Sequence, residues 1–203
     1  MDMDGLYWAA AAHTMDMGIH LNWPALTRRQ FDFATFTFAE SPNRDYEKQV
    51  GELELFFGQS VAYGNQATKE SNLKLEAMQG LFNGKKTLFI HANTPKEIVE
   101  SVRFAKLGGV KKITVITGSS ALWVSDFLKE NKIPVILPAT HNLPDRNDDD
   151  VDLPFKLPYL LTQAGVTVSL SNDGSLHGGR NLAFYAGTAV AYGLSKEDAL
   201  KTI

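Results

Sequence analysis

Polar side chains that could do chemistry follow several short apolar runs in this sequence. His91 and Thr117 each close such a run, and Asn172 and Asp173 come just after another. An imidazole and a carboxylate from separate strands are ligands that suit zinc or a similar divalent ion, or act as base and orienter in proton transfer. The sequence therefore indicates metal or acid–base chemistry centred on His91 and Asp173.

The same residue types also have structural explanations. Asp173 is followed by a glycine, which is typical of turns. Ser119 fits a helix cap better than a nucleophile, because no Gly-x-Ser-x-Gly elbow surrounds it. His141 and His177 lie in polar loops, where they could be exposed to solvent or line a site. Our candidate substrate contacts are Thr117, His141, Asn172 and His177.

The elements that must position these groups begin near residue 86. From there, β-branched runs alternate with helical patterns, which predicts consecutive βα units and a parallel sheet. Ligands of such sheets bind outside the carboxyl ends of the strands, where His91 and Asp173 stand. The predicted strands are 86–91, 112–117, 134–137 and 166–170.

Helix signals separate the predicted strands. Residues 94–97 form a capping box with proline at the first helical position, and a glycine pair at 108–109 ends that helix. Further helices are predicted over 119–130, 155–163 and 181–193, and from residue 195 onward.

The first 70 residues carry weaker patterns. Helices are predicted over 45–62 and 69–82. Four phenylalanines alternate almost as in a strand, and we expect them in the core or in a subunit contact rather than in a ligand-stacking platform. They are Phe31, Phe33, Phe36 and Phe38.

Composition excludes several functional classes. The chain has 203 residues, of which 44% are hydrophobic and 21% charged, as in ordinary globular proteins. Its net charge of -3 leaves no basic surplus for a nucleic acid. Cysteine is absent, so thiolate metal sites and a cysteine nucleophile are excluded. No signal peptide or membrane-spanning run is evident, so we expect a soluble chain that does not bind membranes, and the compartment is not predicted.

Two segments resemble known binding motifs but do not match them. Residues 80–86 have one spacer too few for a P-loop and lack its serine or threonine. The aspartate-rich segment 145–152 is not an EF-hand, because Asp150 takes the position that needs glycine and Lys156 the one that needs glutamate. We interpret this segment as a solvated acidic loop.

Three segments of the chain resemble one enzyme family. Residues 88–93 are similar to a fifth barrel strand, residues 121–135 to a sixth helix and seventh strand, and residues 164–200 to an eighth strand with its helices. The stretch from about residue 72 to the end thus resembles the amidohydrolase superfamily, close to its imidazolonepropionase-like and prolidase-like branch.

This resemblance implies the second half of a (β/α)₈ TIM-type barrel. The chain is then one partial barrel domain, 1–203, with 1–70 as an N-terminal helical or irregular segment and 71–203 as βα units. Four strands cannot close a barrel, so we expect missing chain segments or another copy, in a homo-oligomer, to complete the wall. The chain is expected to be a fragment that is inactive alone.

The implied chemistry is metal-assisted hydrolysis of an amide, cyclic amide or dipeptide C–N bond in a small-molecule substrate. His91 would bind the metal, and Asp173 would bind it and take a proton from the attacking water. The expected cofactor of the full-length protein is a divalent ion, with zinc favoured. Thr117 or Gly118 stands where the family has another histidine, and the family's His-x-His pair and its carboxylated lysine or glutamate are not found.

These departures leave alternatives open. With only two matched ligands, the chain alone could hold no metal, because a catalytic zinc has at least three protein ligands. One alternative is a non-catalytic amidohydrolase-like protein that has lost its metal site and serves binding or assembly. Another is an open flavodoxin-like or receiver-like sheet, which also explains the βα alternation.

Overall fold

The computed structural model describes residues 16–33, 36–66, 70–138, 140–146, 148–172 and 178–203. This part of the chain has an α/β fold built on a parallel sheet of five strands. In spatial order the strands are β1 (Gly18–Asn22), β4 (Thr87–His91), β5 (Ile113–Ile116), β6 (Val135–Leu137) and β7 (Val168–Leu170). An antiparallel hairpin of β2 (Thr27–Asp32) and β3 (Thr37–Pro42) stands apart from this sheet.

Helices fill the connections between the parallel strands. Two of them, α1 (Tyr46–Gly64) and α2 (Leu73–Phe82), lie between the hairpin and β4. The others are α3 (Pro95–Leu107), α4 (Ser120–Trp123), α5 (Ser125–Glu130), α6 (Leu153–Gln163), α7 (Leu182–Ala191) and α8 (Lys196–Lys201), with a 3₁₀ turn over Gly178–Asn181. No helix among the described residues is both long and apolar enough to cross a membrane.

The four predicted strands and the parallel βα units are confirmed. The capping box before α3 is also present: Glu97 N donates to Thr94 Oγ1, and Thr94 N donates to Glu97 Oε2. The end of α3 agrees as well, because Gly109 adopts a φ of 81°, which favours glycine. The helix predicted over 119–130 is interrupted at Val124 and forms α4 and α5.

The N-terminal segment differs from the expectation. The interpretation of 1–70 as helical or irregular misses three strands between residues 18 and 42, although α1 and α2 confirm the two predicted helices. β1 was missed because its alternation spans only five residues, with Ile19 and Leu21 packing toward the core. A strand this short gives little sequence signal.

Helices cover one face of the parallel sheet. Leu88 and Ile90 of β4 are fully buried on that face, whereas Phe89 and His91 are only half-buried on the other. The same alternation continues into β6, where Val135 is buried beside a half-buried residue. One face of the sheet therefore forms the core, and we call the other the open face.

The strand order follows the chain order, because each parallel strand pairs with the next one along the chain. A flavodoxin-like or receiver-like sheet instead reverses its strand order at a switch point and carries helices on both faces. The open-sheet alternative is therefore wrong for the described strands.

The phenylalanine cluster lies on the hairpin and not in the core. Phe33 and Phe36 are each 79% exposed and Phe38 is 60% exposed, with the Phe31 ring in edge-to-face contact with all three. The expectation of a core position is therefore wrong, because the hairpin is separate from the sheet whose helices build the core. A subunit contact remains a prediction.

Candidate metal and substrate site

An open cavity of about 1490 Å³ lies against the open face and the carboxyl ends of the strands. This is the edge at which ligands bind in parallel α/β folds. Polar groups from several strands and from the hairpin share the cavity. They include His20, Arg29, Glu40, His91, Thr117, Asp145, Arg146 and Asn172.

His91 is the last residue of β4, and the strand alternation turns its ring toward the open face. Its backbone is held from both sides. The His91 carbonyl accepts a hydrogen bond from Trp23 N at 3.0 Å, and the following Ala92 N donates to Ile116 O at 3.3 Å. The pairing of β4 with β1 and β5 therefore fixes the position of His91 at the carboxyl end of the sheet.

His20 of β1 supplies a second imidazole. Its Cα is in register with Phe89, two residues before His91, so all three side chains share the open face. His20 Nδ1 lies 2.9 Å from His91 Nε2, which makes a hydrogen bond whose proton sits on one of the two rings. The His20 ring also stacks on Phe89, with ring centroids 5.0 Å apart.

Burial and the neighbouring His20 together lower the pKa of His91, with burial as the larger cause. Burial disfavours the imidazolium because it removes water from a charge, and a second imidazole disfavours it by like-charge repulsion. The His91 ring is therefore neutral at pH 7, and a neutral imidazole nitrogen is the form that binds metals.

Thr117 and Asn172 line the same cavity as His91. Thr117 directly follows Ile116, which pairs with His91 across β4 and β5. Its hydroxyl Oγ1 is buried and has no hydrogen-bond partner among the described residues. Asn172 comes from the end of β7, so the cavity gathers groups from β1, β4, β5 and β7.

His141 lies elsewhere. Its Nε2 is 2.8 Å from Thr188 Oγ1, and its ring contacts Tyr185 edge-on at 4.5 Å between centroids. It therefore packs against α7 and is not among the residues that line the cavity. Asp173 and His177 lie outside the described residues.

Glu97 joins the hairpin to the cavity wall. It is only 3% exposed, and its Oε1 accepts a hydrogen bond from Leu26 N at 2.8 Å. Its Oε2 accepts from Asn93 N and Thr94 N, both at 3.0 Å. One carboxylate thus connects the loop before the hairpin to the loop after His91.

His20 and Asp145 are cavity residues that the sequence analysis missed. The alternation around His20 is a usable signal, since Ile19 and Leu21 flank it with the period of a strand. Asp145 gives no such signal, because it comes from the loop interpreted as merely solvated and reaches the cavity only through tertiary contacts.

A parallel sheet covered by helices on one face, with polar groups at its carboxyl edge, defines an α/β protein with a strand-end site. The sequence matches no protein-family model and no curated protein. The fold is similar to the crystal structure of an amidohydrolase from Thermotoga maritima MSB8, with a TM-score of 0.68 and 22% sequence identity over 91% of this chain. The chain has an amidohydrolase-like fold and covers 49% of the length of that protein.

Proposed function

We propose that this chain is part of a metal-dependent hydrolase of the amidohydrolase type that cleaves C–N bonds in amides, cyclic amides or dipeptides. The branch we favour is the imidazolonepropionase-like or prolidase-like one. His91 and Asp173 serve as metal ligands, and Asp173 also accepts the proton of the attacking water. Thr117, Asn172 and His177 contact the substrate, whereas His141 is left out of the proposal because it packs against α7.

The observation that carries this proposal is the pair of imidazoles on the open face. His20 and His91 come from neighbouring strands and bring two ring nitrogens to within 2.9 Å of each other. Two nitrogen ligands of one tetrahedral zinc lie roughly 3.3 Å apart, given Zn–N bonds of about 2.0–2.1 Å. Both rings can bind one ion once the hydrogen bond between them breaks and the donor ring moves its proton to its other nitrogen.

The two imidazoles are suitable ligands for zinc, which needs at least one further protein ligand. No group of three or more histidine, cysteine or acidic side chains is placed around one point in that part of the chain. We assign the further ligand to Asp173, which is one residue after the cavity-lining Asn172. A bound zinc would polarise the carbonyl of the scissile bond and make the attacking water easier to ionise.

We further propose that the parallel strands are half of a (β/α)₈ barrel. Three observations support this: the strands follow chain order, helices cover one face only, and the chain covers 49% of the amidohydrolase of similar fold. In a closed barrel the open face becomes the interior, and Phe89, Ile116 and Ile136 would be buried there. Further strands, from the same chain or from a second copy, must complete the wall.

Zinc binding to the purified chain tests the metal proposal without requiring turnover. We expect saturable binding by calorimetry at micromolar to submillimolar concentration, weakened at least about tenfold in His91→Ala and in Asp173→Asn. His141→Ala is the matched control and should bind zinc as the wild type does. A wild-type chain that binds no zinc up to 1 mM, or variants that bind it equally well, would refute the metal site and favour the non-catalytic alternative.

Turnover is the second test. The zinc-loaded protein with a complete barrel should hydrolyse members of a panel of dipeptides and cyclic amides. The Asp173→Asn variant should lose this activity because it lacks the proton acceptor. Retained turnover in that variant would show that Asp173 has neither role.

A further inference from the structure

One face of the hairpin formed by β2 and β3 is aromatic. The register pairs Phe31 with Phe38 and Arg29 with Glu40, and residues directly opposite each other point to the same side of a hairpin. The two pairs are two positions apart along each strand, so all four side chains share one face. The Phe31 ring also makes edge-on contacts at the end of the hairpin. We call the resulting surface the aromatic face: Phe31, Phe33, Phe36 and Phe38.

The aromatic face is large and uncovered. Phe33 and Phe36 are each 79% exposed, and Phe38 is 60% exposed. With about 200 Å² for a phenylalanine side chain, these three residues leave roughly 440 Å² of apolar surface in water. The largest apolar patch on a typical monomer measures about 300–600 Å² and is often functional. The hairpin therefore carries a patch of the size at which proteins bind other proteins.

The hairpin presents this face in a fixed direction, because its base is anchored. Asn43 N donates to Leu26 O at 2.8 Å, and Leu26 N donates to the buried Glu97 carboxylate, also at 2.8 Å. Arg28 forms an ion pair with Asp45 at 2.7 Å. A two-stranded hairpin is only marginally stable in water unless one of its faces packs against another element. The anchored base holds the strands in place, and the aromatic face is left for a partner to cover.

The position of this face favours a protein partner over a small molecule. Small ligands bind in concave pockets. The cavity described above includes Arg29 and Glu40 of the hairpin, whereas the four phenylalanines, all of them among the described residues, do not line it. The aromatic face thus lies beside the cavity and outside its wall.

The charge of the hairpin makes a second copy of this chain a suitable partner. Residues 27–42 contain two arginines, one aspartate and one glutamate, so the hairpin is neutral although the whole chain has a net charge of -3. Two hairpins therefore do not repel each other. Arg29 and Glu40 lie beside the aromatic face with opposite signs, 3.7 Å apart. Two-fold symmetry lets Arg29 of each copy meet Glu40 of the other copy.

We propose that the aromatic face is the contact through which two copies of this chain form a two-fold dimer. The exposed phenylalanines of two copies supply roughly 900 Å², about three quarters of the ~1,200 Å² that the smaller specific interfaces bury, and the strand residues around them supply the rest. Phe31 follows Arg29 by two positions, about 7 Å along the strand, so the second copy also reaches the rim of the cavity. This inference does not depend on the proposed hydrolase function.

Sedimentation velocity of the metal-free chain between about 1 and 200 μM tests the dimer. We expect a monomer–dimer equilibrium with a Kd of about 1–100 μM. Phe36→Asn should raise this Kd at least about tenfold, because it removes a ring while asparagine tolerates the left-handed backbone of residue 36, where φ is 52°. Phe184→Ser is the matched control. It removes a phenylalanine that is 68% exposed on α7, outside the hairpin, and should dimerise as the wild type does.

Two charge-reversal variants guard against misfolding as the cause of lost association. Arg29→Glu makes the hairpin negative and Glu40→Arg makes it positive, so each variant alone should dimerise at least about tenfold more weakly through like-charge repulsion. An equimolar mixture of the two should restore association, because opposite charges then meet across the interface in both directions. Misfolding of either variant would not be reversed by mixing.

Three results would each overturn the dimer. A wild-type chain that stays monomeric up to about 200 μM would favour further strands of the barrel as the cover of the aromatic face. Dimerisation that Phe36→Asn leaves unchanged would place the contact on another surface, such as the open sheet edges. A mixture that associates no better than the single charge variants would exclude the two-fold contact. These readouts need neither zinc nor turnover, so their failure is distinct from a failure of the proposed function.

Discussion

The two faces of the parallel sheet have different roles. On the helix-covered face, Leu88 and Ile90 are fully buried against the helices. On the open face, the alternating residues Phe89 and His91 of the same strand border a wide cavity. Successive residues of this strand therefore face the core and the cavity alternately. Substitutions on the two faces should have different effects on the protein.

The largest effect is expected from a truncation on the covered face. Ile90→Ala should lower the free energy of unfolding by about 2–5 kcal/mol, because it removes a fully buried side chain and leaves a cavity. Phe89→Ala, one residue away on the open face, should cost clearly less since its ring is only half-buried. Urea unfolding of both variants measures the difference, and equal losses would contradict the assignment of the two faces.

The next largest effect is expected at Glu97, whose carboxylate holds the loops on either side of the cavity wall. Glu97→Ala leaves the backbone N–H groups of Leu26, Asn93 and Thr94 without their acceptor. We expect a loss of about 1–3 kcal/mol and faster hydrogen exchange at these three amides. Glu130→Ala, at the exposed end of α5, is the control and should change neither quantity. Unchanged exchange at Leu26 would show that Glu97 does not hold the hairpin.

A smaller effect is expected at Tyr46, which ties α1 to α3 on the covered side. The Tyr46 hydroxyl donates to Glu100 and accepts from Trp23 Nε1 at 3.0 Å. Tyr46→Phe should cost about 1–2 kcal/mol at neutral pH, because the indole N–H loses its partner.

The pH dependence of stability gives a second readout for Tyr46. Burial, followed by the hydrogen bond to Glu100, raises the pKa of Tyr46 to about 12, above its value of about 10 in the unfolded chain. The resulting stabilisation is complete below pH 10 and is lost as the pH rises through about 12. The wild type should therefore lose stability over this range faster than Tyr46→Phe, and parallel curves would contradict the assignment.

The smallest effect is expected at the surface of the acidic loop. Asp150 pairs with Lys156 at 3.0 Å, but its side chain is 76% exposed and Lys156 also pairs with Asp152. Asp150→Asn should change the free energy of unfolding by less than about 0.5 kcal/mol, because exposed ion pairs contribute little. A loss above 1 kcal/mol in thermal or urea unfolding would show that this loop is integral to the core.

The sequence predicts the repeated βα part of the fold well, because its strands are β-branched and its helices carry strong end signals. The capping box at Thr94 and the glycine pair after α3 act locally and can be read without the fold. β1 depends on pairing with β4, a contact between residues about 70 positions apart, so its five residues give little signal alone.

The site was predictable only where it coincides with a strand end. The strand-end rule predicts that His91, Thr117 and Asn172 lie at the cavity, as they do. His20 instead lies in the middle of β1, and it lines the cavity because its register with Phe89 puts its side chain on the open face. Asp145 reaches the end of β5 only because Gly118 leaves room for it, a condition that depends on three-dimensional packing. His141 shows the converse, since a polar loop position gives no information on which side its ring will pack.

The central claim is that His20 and His91 act as one pair of imidazole ligands on the open face, and copper(II) electron paramagnetic resonance tests it most directly. Imidazole binds copper(II) well, and each bound nitrogen adds its own superhyperfine splitting. We predict splitting from two imidazole nitrogens in the wild type and in His141→Ala, and from one in His20→Ala. A wild-type spectrum identical to that of His20→Ala would contradict the pair.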